Sequence, residues 1–219
     1  MSFDFYGEAK TARGVNGPRT VMAIRSTVRQ TNLFGAAQSG LPAGLRYEPD
    51  FITSAEEQEL VSGIRALPLH EAQYKQYTAK RRIASFGARY DFSSNVLEAA
   101  PGLAPFLQGL RAKVADWLEL EPDQFTQALV AEYRPGTALG WHRDVPQFGV
   151  IVGVSLEGAC RMRFRPYPVR ENKREDVFAL ELEPRSAYVL HGDARWGWQH
   201  SIPTTKTLRY SITFRTMRG

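Results

Sequence analysis

The sequence predicts a mainly β protein with flanking helices, built around an antiparallel barrel or jelly roll. From about residue 125 to the last residue, short β-rich runs alternate with turns that contain Gly and Pro, which is typical of barrels and sandwiches. Two amphipathic helical segments precede these runs, and 43% of the residues are hydrophobic, as in a folded globular protein. We therefore place the core at about residues 125–219, on an N-terminal α/β support.

The first part of the chain has a different texture from the rest. Residues 1–42 are rich in Gly, Ser, Thr, Arg and Asn and show no sustained period, so we expect a loosely ordered basic extension. Periodic patterns begin after it, with a strand predicted to start at residues 45–47. A single domain is therefore predicted over residues 43–219.

Two helices are predicted between this first strand and the β-rich region. Ser54 and, three residues on, Glu57 match a capping box at the start of the first helix. The second helix is expected at about residues 104–120, with Pro105 near its first turn. Apolar residues at helical spacing support both segments: Leu60, Val61, Ile64 and Leu67 in the first, and Leu107, Leu110, Val114 and Leu118 in the second.

The composition disfavours several classes of protein. No apolar run approaches the ~18 residues of a membrane span, and the absence of GxGxxG, Walker A and CxxC motifs leaves the nucleotide-binding folds without support. The lone Cys160 cannot form an internal disulfide, so we expect a reducing, cytoplasmic location. The net charge of +5 favours a polyanionic partner such as nucleic acid, and no obligate protein partner is evident.

The stretch GWHRD, residues 140–144, places a histidine and an aspartate two positions apart. On a strand, His142 and Asp144 project to the same face and Arg143 projects to the other. Such a pair alone is more often structural than metal-binding. With a second histidine, however, it would form the facial triad of non-haem Fe(II) oxygenases, which leaves three metal positions open for substrate and O₂.

A third ligand has two candidates far along the chain. His200 lies in WGWQHSIP and precedes a strand-like stretch that leads into a basic segment. His191 is followed by Gly192 and Asp193, which is typical of a turn at the end of a strand. We therefore favour His200 over His191.

The segment LRYSITFR, residues 208–215, alternates strictly between apolar and polar side chains. This period predicts a strand with one apolar face. Two arginines, a serine and a threonine share the other face, which is either an ordinary solvated surface or, inside a jelly roll, a binding surface for a dicarboxylate. Arginine suits a carboxylate because its planar fork donates two parallel hydrogen bonds. The four polar residues are Arg209, Ser211, Thr213 and Arg215.

Together these residues resemble the signature of the Fe(II)/2-oxoglutarate-dependent dioxygenases, and specifically the AlkB family. The matching pattern is His142-x-Asp144, then His200, then two arginines spaced as Arg209-x₅-Arg215. EYRPGTALGWHRD, residues 132–144, is similar to the approach to the metal in that family. The resemblance covers about residues 43–219 and implies a double-stranded β-helix, or jelly-roll, core.

The resemblance also implies a set of ligands and an activity. His142, Asp144 and His200 would hold Fe(II). Arg209, helped by the Tyr133 hydroxyl, would bind the distal carboxylate of 2-oxoglutarate, although Tyr133 is equally well interpreted as a buried core residue. The implied reaction uses O₂ and 2-oxoglutarate to dealkylate N-alkylated bases in DNA or RNA oxidatively, as a demethylase of DNA repair does, and releases aldehyde, succinate and CO₂. The remaining implied cosubstrate contacts are Arg215, near the ketoacid end, and Ser211.

Residues of about 70–95 correspond to the lid that grips the substrate in the family. Here aromatic and basic residues are interleaved, which is typical of a platform for single-stranded nucleic acid. The alternative is a solvated hairpin whose aromatic side chains fold inward. A second basic strand, with Arg161, Arg163 and Arg165 on one face, either widens this footprint or is an exposed charged edge. The candidate substrate contacts in the lid are Tyr74, Tyr77, Arg81, Arg82, Phe86 and Tyr90.

The chain also departs from the pattern of base-repair members. Val145-Pro146-Gln147 follows the HxD motif where many of them have an acidic residue, and Ala131 and Ser211 replace asparagines. Two alternatives to nucleic-acid dealkylation therefore stay open. One is the same oxygenase chemistry on a protein side chain or a small metabolite, and the other is a non-enzymatic basic jelly roll that binds nucleic acid.

Overall fold

The computed structural model describes residues 41–74, 77–91, 94, 96–169 and 177–219. Nearly all of the predicted N-terminal extension, residues 1–40, lies outside this part. The helices are α1 (Ser54–Arg65), α2 (Gln108–Leu118) and α3 (Gly192–Trp196), with 3₁₀ turns at Pro105–Leu107 and Pro122–Gln124. The strands are β1 (Leu45–Glu48), β2 (His70–Tyr74), β3 (Tyr77–Phe86), β4 (Ala88–Asp91), β5 (Val96–Ala99), β6 (Phe125–Tyr133), β7 (Leu139–His142), β8 (Phe148–Leu156), β9 (Cys160–Pro166), β10 (Phe178–Leu182), β11 (Ala187–Leu190), β12 (Trp198–Ile202) and β13 (Arg209–Met217).

Within the described residues, the strands form two packed antiparallel sheets and a small hairpin. The large sheet has the order β1-β11-β8-β13-β6-β3-β2, the small sheet has the order β10-β9-β12-β7, and β4 pairs with β5. An apolar cluster with members on both sheets, including Phe148, Met162, Phe164 and Leu190, fills the space between them. This is the jelly roll that the sequence predicted.

Helices α1 and α2 cover the outer face of the large sheet. Leu60 and Ile64 of α1 and Val114 of α2 are buried in one apolar cluster with Ile212 and Phe214 of β13. The apolar stripe of each helix thus packs against the apolar face of the strand, and both elements bury the face that their sequence patterns predict. The two amphipathic helices of the sequence analysis are confirmed, with α2 preceded by a 3₁₀ turn.

The start of α1 differs from the prediction by one residue. Thr53 is the N-cap, its hydroxyl accepts a hydrogen bond from the Glu56 backbone, and the Glu56 carboxylate accepts one from the Thr53 backbone. Both Thr53/Glu56 and Ser54/Glu57 fit the capping-box spacing. The correct pair also lets Glu56 bind Lys113 of α2 at 2.8 Å, a contact that the local pattern does not contain.

The described residues of the predicted lid region lie mostly in strands β2, β3 and β4. β3 pairs with β6, so the β2–β3 hairpin extends the large sheet at its edge. The β4–β5 hairpin follows it. Among the described residues, no helix is both long and apolar enough to cross a membrane.

Candidate metal and cosubstrate site

Three side chains meet between the two sheets. His200 of β12 lies opposite His142 of β7 in the antiparallel register, and their ring centroids are 4.2 Å apart. Asp144 lies two residues after His142, in the loop beyond β7, and its Oδ2 is 3.7 Å from His200 Nε2. One ligand atom from each residue lies within 4.8 Å of the other two, so the three could hold one metal ion.

Both imidazoles are kept in the form that binds metal. Burial lowers the pKa of His200 to about 3, and the positive charges nearby act in the same direction. Burial also lowers the pKa of His142. His142 Nδ1 donates to the carbonyl of Gly140 at 2.9 Å, because a carbonyl can only accept. This leaves the lone pair of Nε2 for a metal, a common arrangement for histidine ligands.

Arg215 fixes the carboxylate of Asp144. Its Nε and Nη2 donate to Asp144 Oδ1 at 3.0 and 2.7 Å, and its Nη1 donates to Gln127 at 2.7 Å. Burial alone would raise the pKa of Asp144, but the charge of Arg215 and the other cations hold it well below its usual range. Oδ1 is thus occupied, and Oδ2 is directed toward the histidines. The sequence interpretation placed Arg215 on the cosubstrate and did not foresee this contact.

A second arginine, which the sequence interpretation missed, holds the loop that carries Asp144. Arg195 of α3 is buried, and its Nη2 donates to the backbone carbonyls of Asp144, Val145 and Phe148 at 2.8 to 3.1 Å. The guanidinium thus ties the loop between β7 and β8 to α3 through three backbone oxygens. No motif around Arg195 signals this role, because its partners lie some 50 residues away.

The neighbours of the triad lie where the alternation predicted. Arg143 points away from the site. Its guanidinium carbon lies 3.7 Å from the centroid of the Tyr167 ring, and its Nη1 donates to the carbonyl of Trp196 at 2.9 Å. His191 is exposed at the N-terminus of α3, after β11, and takes no part in the triad. The structure thus groups His200, not His191, with the HxD motif. His200 lies inside β12, whereas the sequence interpretation placed it ahead of a strand.

The triad opens into a pocket between the sheets. Polar and charged groups are concentrated on the strands of the large sheet, and the small sheet contributes the histidines. The described residues that line it are Arg81, Leu129, Ala131, Tyr133, Leu139, His142, Asp144, Ile151, Met162, Tyr188, His200, Ile202, Arg209, Ser211, Thr213 and Arg215.

Arg209 has the properties expected of a carboxylate clamp. It is only 1% exposed, and its Nε donates to Ser155 at 3.0 Å. Its Nη1 is buried and has no hydrogen-bond partner among the described residues. A buried donor without an acceptor is costly, and a dicarboxylate would supply that acceptor. The pocket therefore fits 2-oxoglutarate at Arg209 and a metal ion at the triad.

Two tyrosines flank this arginine. The Arg209 guanidinium lies 5.1 Å from the centroid of the Tyr133 ring, and Tyr133 is buried in the pocket wall. Tyr188 of β11, which the sequence interpretation missed, lies over Gly153 so closely that a Cβ there would come within 2.3 Å of its ring. Burial raises the pKa of Tyr188 well above its usual value, so its hydroxyl stays a donor.

The two replaced asparagines prove to be neighbours. Ser211 of β13 and Ala131 of β6 are paired across the sheet, and both line the pocket. Where base-repair members have two amide side chains, this chain therefore has a hydroxyl and a methyl group at adjacent positions of the pocket wall. The residues themselves were evident in the sequence, but their pairing needed the register of the sheet.

The predicted substrate contacts separate into different environments. Arg81 is 8% exposed, lines the pocket and donates from Nη1 to the Tyr133 hydroxyl at 3.3 Å. Arg82 points to the other face of β3, where it pairs with buried Glu132 at 3.1 Å. Phe86 is buried in the cluster beneath the helices, so the prediction that it stacks on a base is wrong.

The other predicted aromatic contacts of the lid are Tyr74, Tyr77 and Tyr90. Tyr90 is partly buried against the apolar cluster between the sheets. Tyr74 and Tyr77 pair through their backbones at the end of the β2–β3 hairpin, and their side chains lie outside the described part of the chain. For Phe86, the inward-folded alternative was the correct one.

Comparison with known proteins agrees with the site. The family model described as 2OG-Fe(II) oxygenase superfamily matches residues 44–215. The chain therefore belongs to the 2OG-Fe(II) oxygenase superfamily. It is a 2-oxoglutarate-dependent non-haem iron dioxygenase, with Fe(II), 2-oxoglutarate and O₂ as its cofactor and cosubstrates. The family match supports the enzyme over the non-enzymatic alternative.

Among curated relatives, two illustrate the similarity to AlkB proteins. The "Alkylated DNA repair protein ALKBH8 homolog" of Arabidopsis thaliana is 30% identical over 210 residues, which cover 80% of this chain and 59% of that protein. The "tRNA (carboxymethyluridine(34)-5-O)-methyltransferase ALKBH8" of Mus musculus is 27% identical over 80% of this chain and 27% of its own length. This chain thus spans about three fifths of the first relative and about a quarter of the second.

Solved structures share the fold at low identity. The structure described as OsALKBH1 superposes with a TM-score of 0.61 at 14% identity, covering 80% of this chain and 99% of that chain. A prolyl-4-hydroxylase from Pseudomonas putida superposes with a TM-score of 0.56 at 16% identity, covering 80% and 94%. The resemblance to the 2-oxoglutarate-dependent oxygenases is confirmed by the family model, and the predicted jelly-roll core by these structures.

Proposed function

We propose that this oxygenase removes alkyl groups from the nitrogen atoms of bases in DNA or RNA. His142, Asp144 and His200 hold Fe(II), and Arg209 binds the distal carboxylate of 2-oxoglutarate together with Tyr133 and Ser211. When bound, the iron centre lets O₂ convert 2-oxoglutarate to succinate and CO₂ while one oxygen atom is delivered to the N-alkyl carbon. The resulting N–CH₂OH group of a methylated base then breaks its C–N bond and leaves as formaldehyde.

Several residues around the triad have a part in this scheme. Arg215 holds Asp144 Oδ1 so that Oδ2 faces the metal, and Arg195 holds the loop on which Asp144 lies. The unpartnered Nη1 of Arg209 is the observation that carries the cosubstrate assignment. The apolar residues of the small sheet, such as Met162 and Ile202, line the opposite wall and keep water from the reacting carbon.

A nucleic-acid substrate is supported by an outer surface of the small sheet. Trp141 lies beneath the guanidinium groups of Arg163 and Arg165, whose centres are 5.1 and 4.5 Å from its ring. The Nε atoms of these arginines are anchored on Ser201 and Gln199. We call Trp141, Arg163 and Arg165 the Trp141 patch. Fixed cations beside an aromatic ring suit a phosphate backbone and its bases, as do the net charge of +5 and the relatives named for DNA repair and tRNA.

The chemistry is tested by product analysis. Protein loaded anaerobically with Fe(II) and 2-oxoglutarate is exposed to O₂, with and without short single-stranded DNA or RNA that contains one N-methylated base. We expect succinate with and without a strand. Formaldehyde should form only when the strand carries a methylated base, and its amount should equal the amount of base that loses its methyl group. Asp144→Ala is the matched variant, and it should form neither product.

Two other results would reject parts of the proposal. No succinate under any condition would contradict the oxygenase site. Succinate without strand-dependent formaldehyde would favour the alternative substrates, a protein side chain or a small metabolite.

The Trp141 patch is tested by the salt dependence of strand binding. The double variant Arg163→Gln/Arg165→Gln should lower the slope of log K against log salt by about 0.7 for each lost phosphate contact. Arg65→Gln/Arg111→Gln removes the same charge from arginines of the helical layer, which pair with Glu157 and Asp123 away from the small sheet. An equal effect of both double variants would mean that only net charge matters.

A further inference from the structure

We propose that Tyr188 binds the cosubstrate, with its phenol ring as the floor beneath the carbon chain of 2-oxoglutarate, and that Gly153 gives the ring this place by having no side chain. The inference rests on the proposed function, because it adds a residue to the site that is assigned there to 2-oxoglutarate.

The ring of Tyr188 lies against the large sheet. Tyr188 of β11 and Gly153 of β8 are partners in the antiparallel register. A Cβ at Gly153 would come within 2.3 to 2.5 Å of three atoms of the phenol, one of which is the hydroxyl oxygen. The outer part of the ring is thus spread over the backbone of β8. Because Tyr188 is 8% exposed and lines the pocket, its ring covers the sheet at the base of the pocket.

The register of the sheet places this ring between the two ends of the cosubstrate site. Thr213 of β13 is the other partner of Gly153. Arg209 precedes Thr213 on this strand and Arg215 follows it, and all three line the pocket. Arg209 is the proposed clamp for the distal carboxylate, and Arg215 holds Asp144 of the triad. A dicarboxylate that reaches from the triad to Arg209 therefore crosses the part of the sheet that the ring covers.

The glycine at position 153 is explained by this packing. Gly153 does not have the left-handed backbone conformation that favours glycine, and a glycine inside a strand is otherwise unfavourable. Glycine within a strand often marks a place where another group approaches the backbone closely. Here that group is the phenol ring of Tyr188.

The chemistry of the ring suits the cosubstrate. Burial raises the pKa of Tyr188 well above its usual value, so the floor stays uncharged beside the two carboxylates of 2-oxoglutarate. The flat aromatic surface gives the methylene groups between those carboxylates an apolar contact. Tyr188 is also a member of the apolar cluster between the sheets, so a test has to separate cosubstrate binding from packing.

The floor is tested by calorimetric titration of the Mn(II)-loaded full chain with 2-oxoglutarate. In Gly153→Ala the new methyl group displaces the outer part of the ring, which moves away from the sheet and into the pocket. The affinity for 2-oxoglutarate should therefore fall by at least about tenfold. Tyr188→Leu removes the outer part of the ring and should lower this affinity by about two- to fivefold. Gly153→Ala/Tyr188→Leu should bind 2-oxoglutarate as Tyr188→Leu does, because the methyl group then has no ring to displace.

Two controls separate cosubstrate binding from packing. Gly149→Ala adds a methyl group to the same strand, where it would meet Met217 and Thr216 outside the pocket, and it should leave the affinity for 2-oxoglutarate unchanged. The affinity for Mn(II) alone should stay at the wild-type value in all four variants. The proposal is overturned if Gly153→Ala or Tyr188→Leu binds 2-oxoglutarate as the wild-type protein does, if Gly153→Ala weakens Mn(II) binding by the same factor, or if its loss persists in the double variant.

A parallel titration separates this proposal from the proposed function. Arg209→Gln should lose most of its affinity for 2-oxoglutarate. If Arg209→Gln binds 2-oxoglutarate as the wild-type protein does, the clamp in the proposed function fails, whatever the result for Gly153→Ala. If Arg209→Gln loses binding and Gly153→Ala keeps it, only the floor formed by Tyr188 is rejected. Neither titration contains a nucleic acid, so the choice of substrate does not affect the result.

Discussion

The two faces of strand β13 differ completely although their residues alternate along one chain segment. Tyr210, Ile212 and Phe214 face the helices and are buried in an apolar cluster. The opposite face lines the pocket between the sheets with Arg209, Ser211, Thr213 and Arg215. Both faces are buried, so exposure does not distinguish them.

The difference between these faces shows where the protein is built for stability and where it is built for binding. The outer face gains free energy by removing apolar surface from water. The inner face buries a guanidinium with an unpartnered nitrogen, which costs free energy until an acceptor arrives. Substitutions on the inner face should therefore change ligand binding, and those on the outer face should change unfolding.

The largest effect is expected at Arg209. Replacing it by Gln removes the charged donor proposed to bind the distal carboxylate, so the KM for 2-oxoglutarate should rise about 100-fold or more. Thermal unfolding with Mn(II) gives a second measurement, because 2-oxoglutarate should raise the Tm of the wild-type protein and not that of the variant. A wild-type KM in Arg209→Gln would show that the dicarboxylate binds elsewhere.

A smaller effect on the inner side is expected at Arg195. Arg195→Met keeps the bulk of the side chain but releases the carbonyls of the loop that carries Asp144. Metal affinity should fall about tenfold, as is usual for residues that support a metal ligand, and calorimetric titration with Mn(II) measures it. Unchanged affinity would mean that Arg215 alone is sufficient to hold Asp144.

On the outer face, Ile212→Val should act on unfolding alone. The side chain is fully buried, so loss of one methylene should lower the free energy of unfolding by about 0.5–1.5 kcal/mol. Denaturant unfolding measures this loss, and the KM for 2-oxoglutarate should stay at the wild-type value. A changed KM would show that the two faces are coupled through the strand.

The smallest effect is expected in the helical layer, at Glu56. Its hydrogen bonds to Lys113 and Thr53 lower the pKa of its carboxyl from 4.5 to about 2. Such a group stabilises the fold fully above its unfolded pKa, and the contribution disappears as the pH falls toward 2. Since the pair is exposed, Glu56→Gln should cost less than about 1 kcal/mol at pH 7. Chemical denaturation at pH 7 and near pH 2 should show the wild-type protein and the variant converging in acid; an equal difference at both pH values would contradict the ion pair.

Much of this comparison was predictable because alternation and helical spacing are local properties. The period of LRYSITFR specified both faces of β13, and the apolar stripes specified the helix faces that cover it. The spaced arginines and the HxD motif resembled those of a known family, which led to His200. These features need only the order of residues along the chain.

The remaining features depend on which strands become neighbours. The contact of Arg215 with Asp144 joins residues 71 positions apart, and the bond of Arg195 to Val145 spans 50 positions. The packing of Tyr188 on Gly153 also joins two strands that are not consecutive along the chain. The position of Phe86 also depends on strand pairing. The sequence interpretation placed it on the surface because it lies in a basic stretch. Its strand has one face on the helices, and only the pairing of β3 with β6 shows this.

The central claim is that His142, Asp144 and His200 together bind one Fe(II), on which 2-oxoglutarate is held through Arg209. Anaerobic titration with Fe(II) and 2-oxoglutarate tests it through the visible charge-transfer absorption of the chelated cosubstrate. We predict one such centre per chain in the wild-type protein and in His191→Ala, and none in His142→Ala or His200→Ala. Full absorption in His200→Ala, or its loss in His191→Ala, would contradict the assignment of the site.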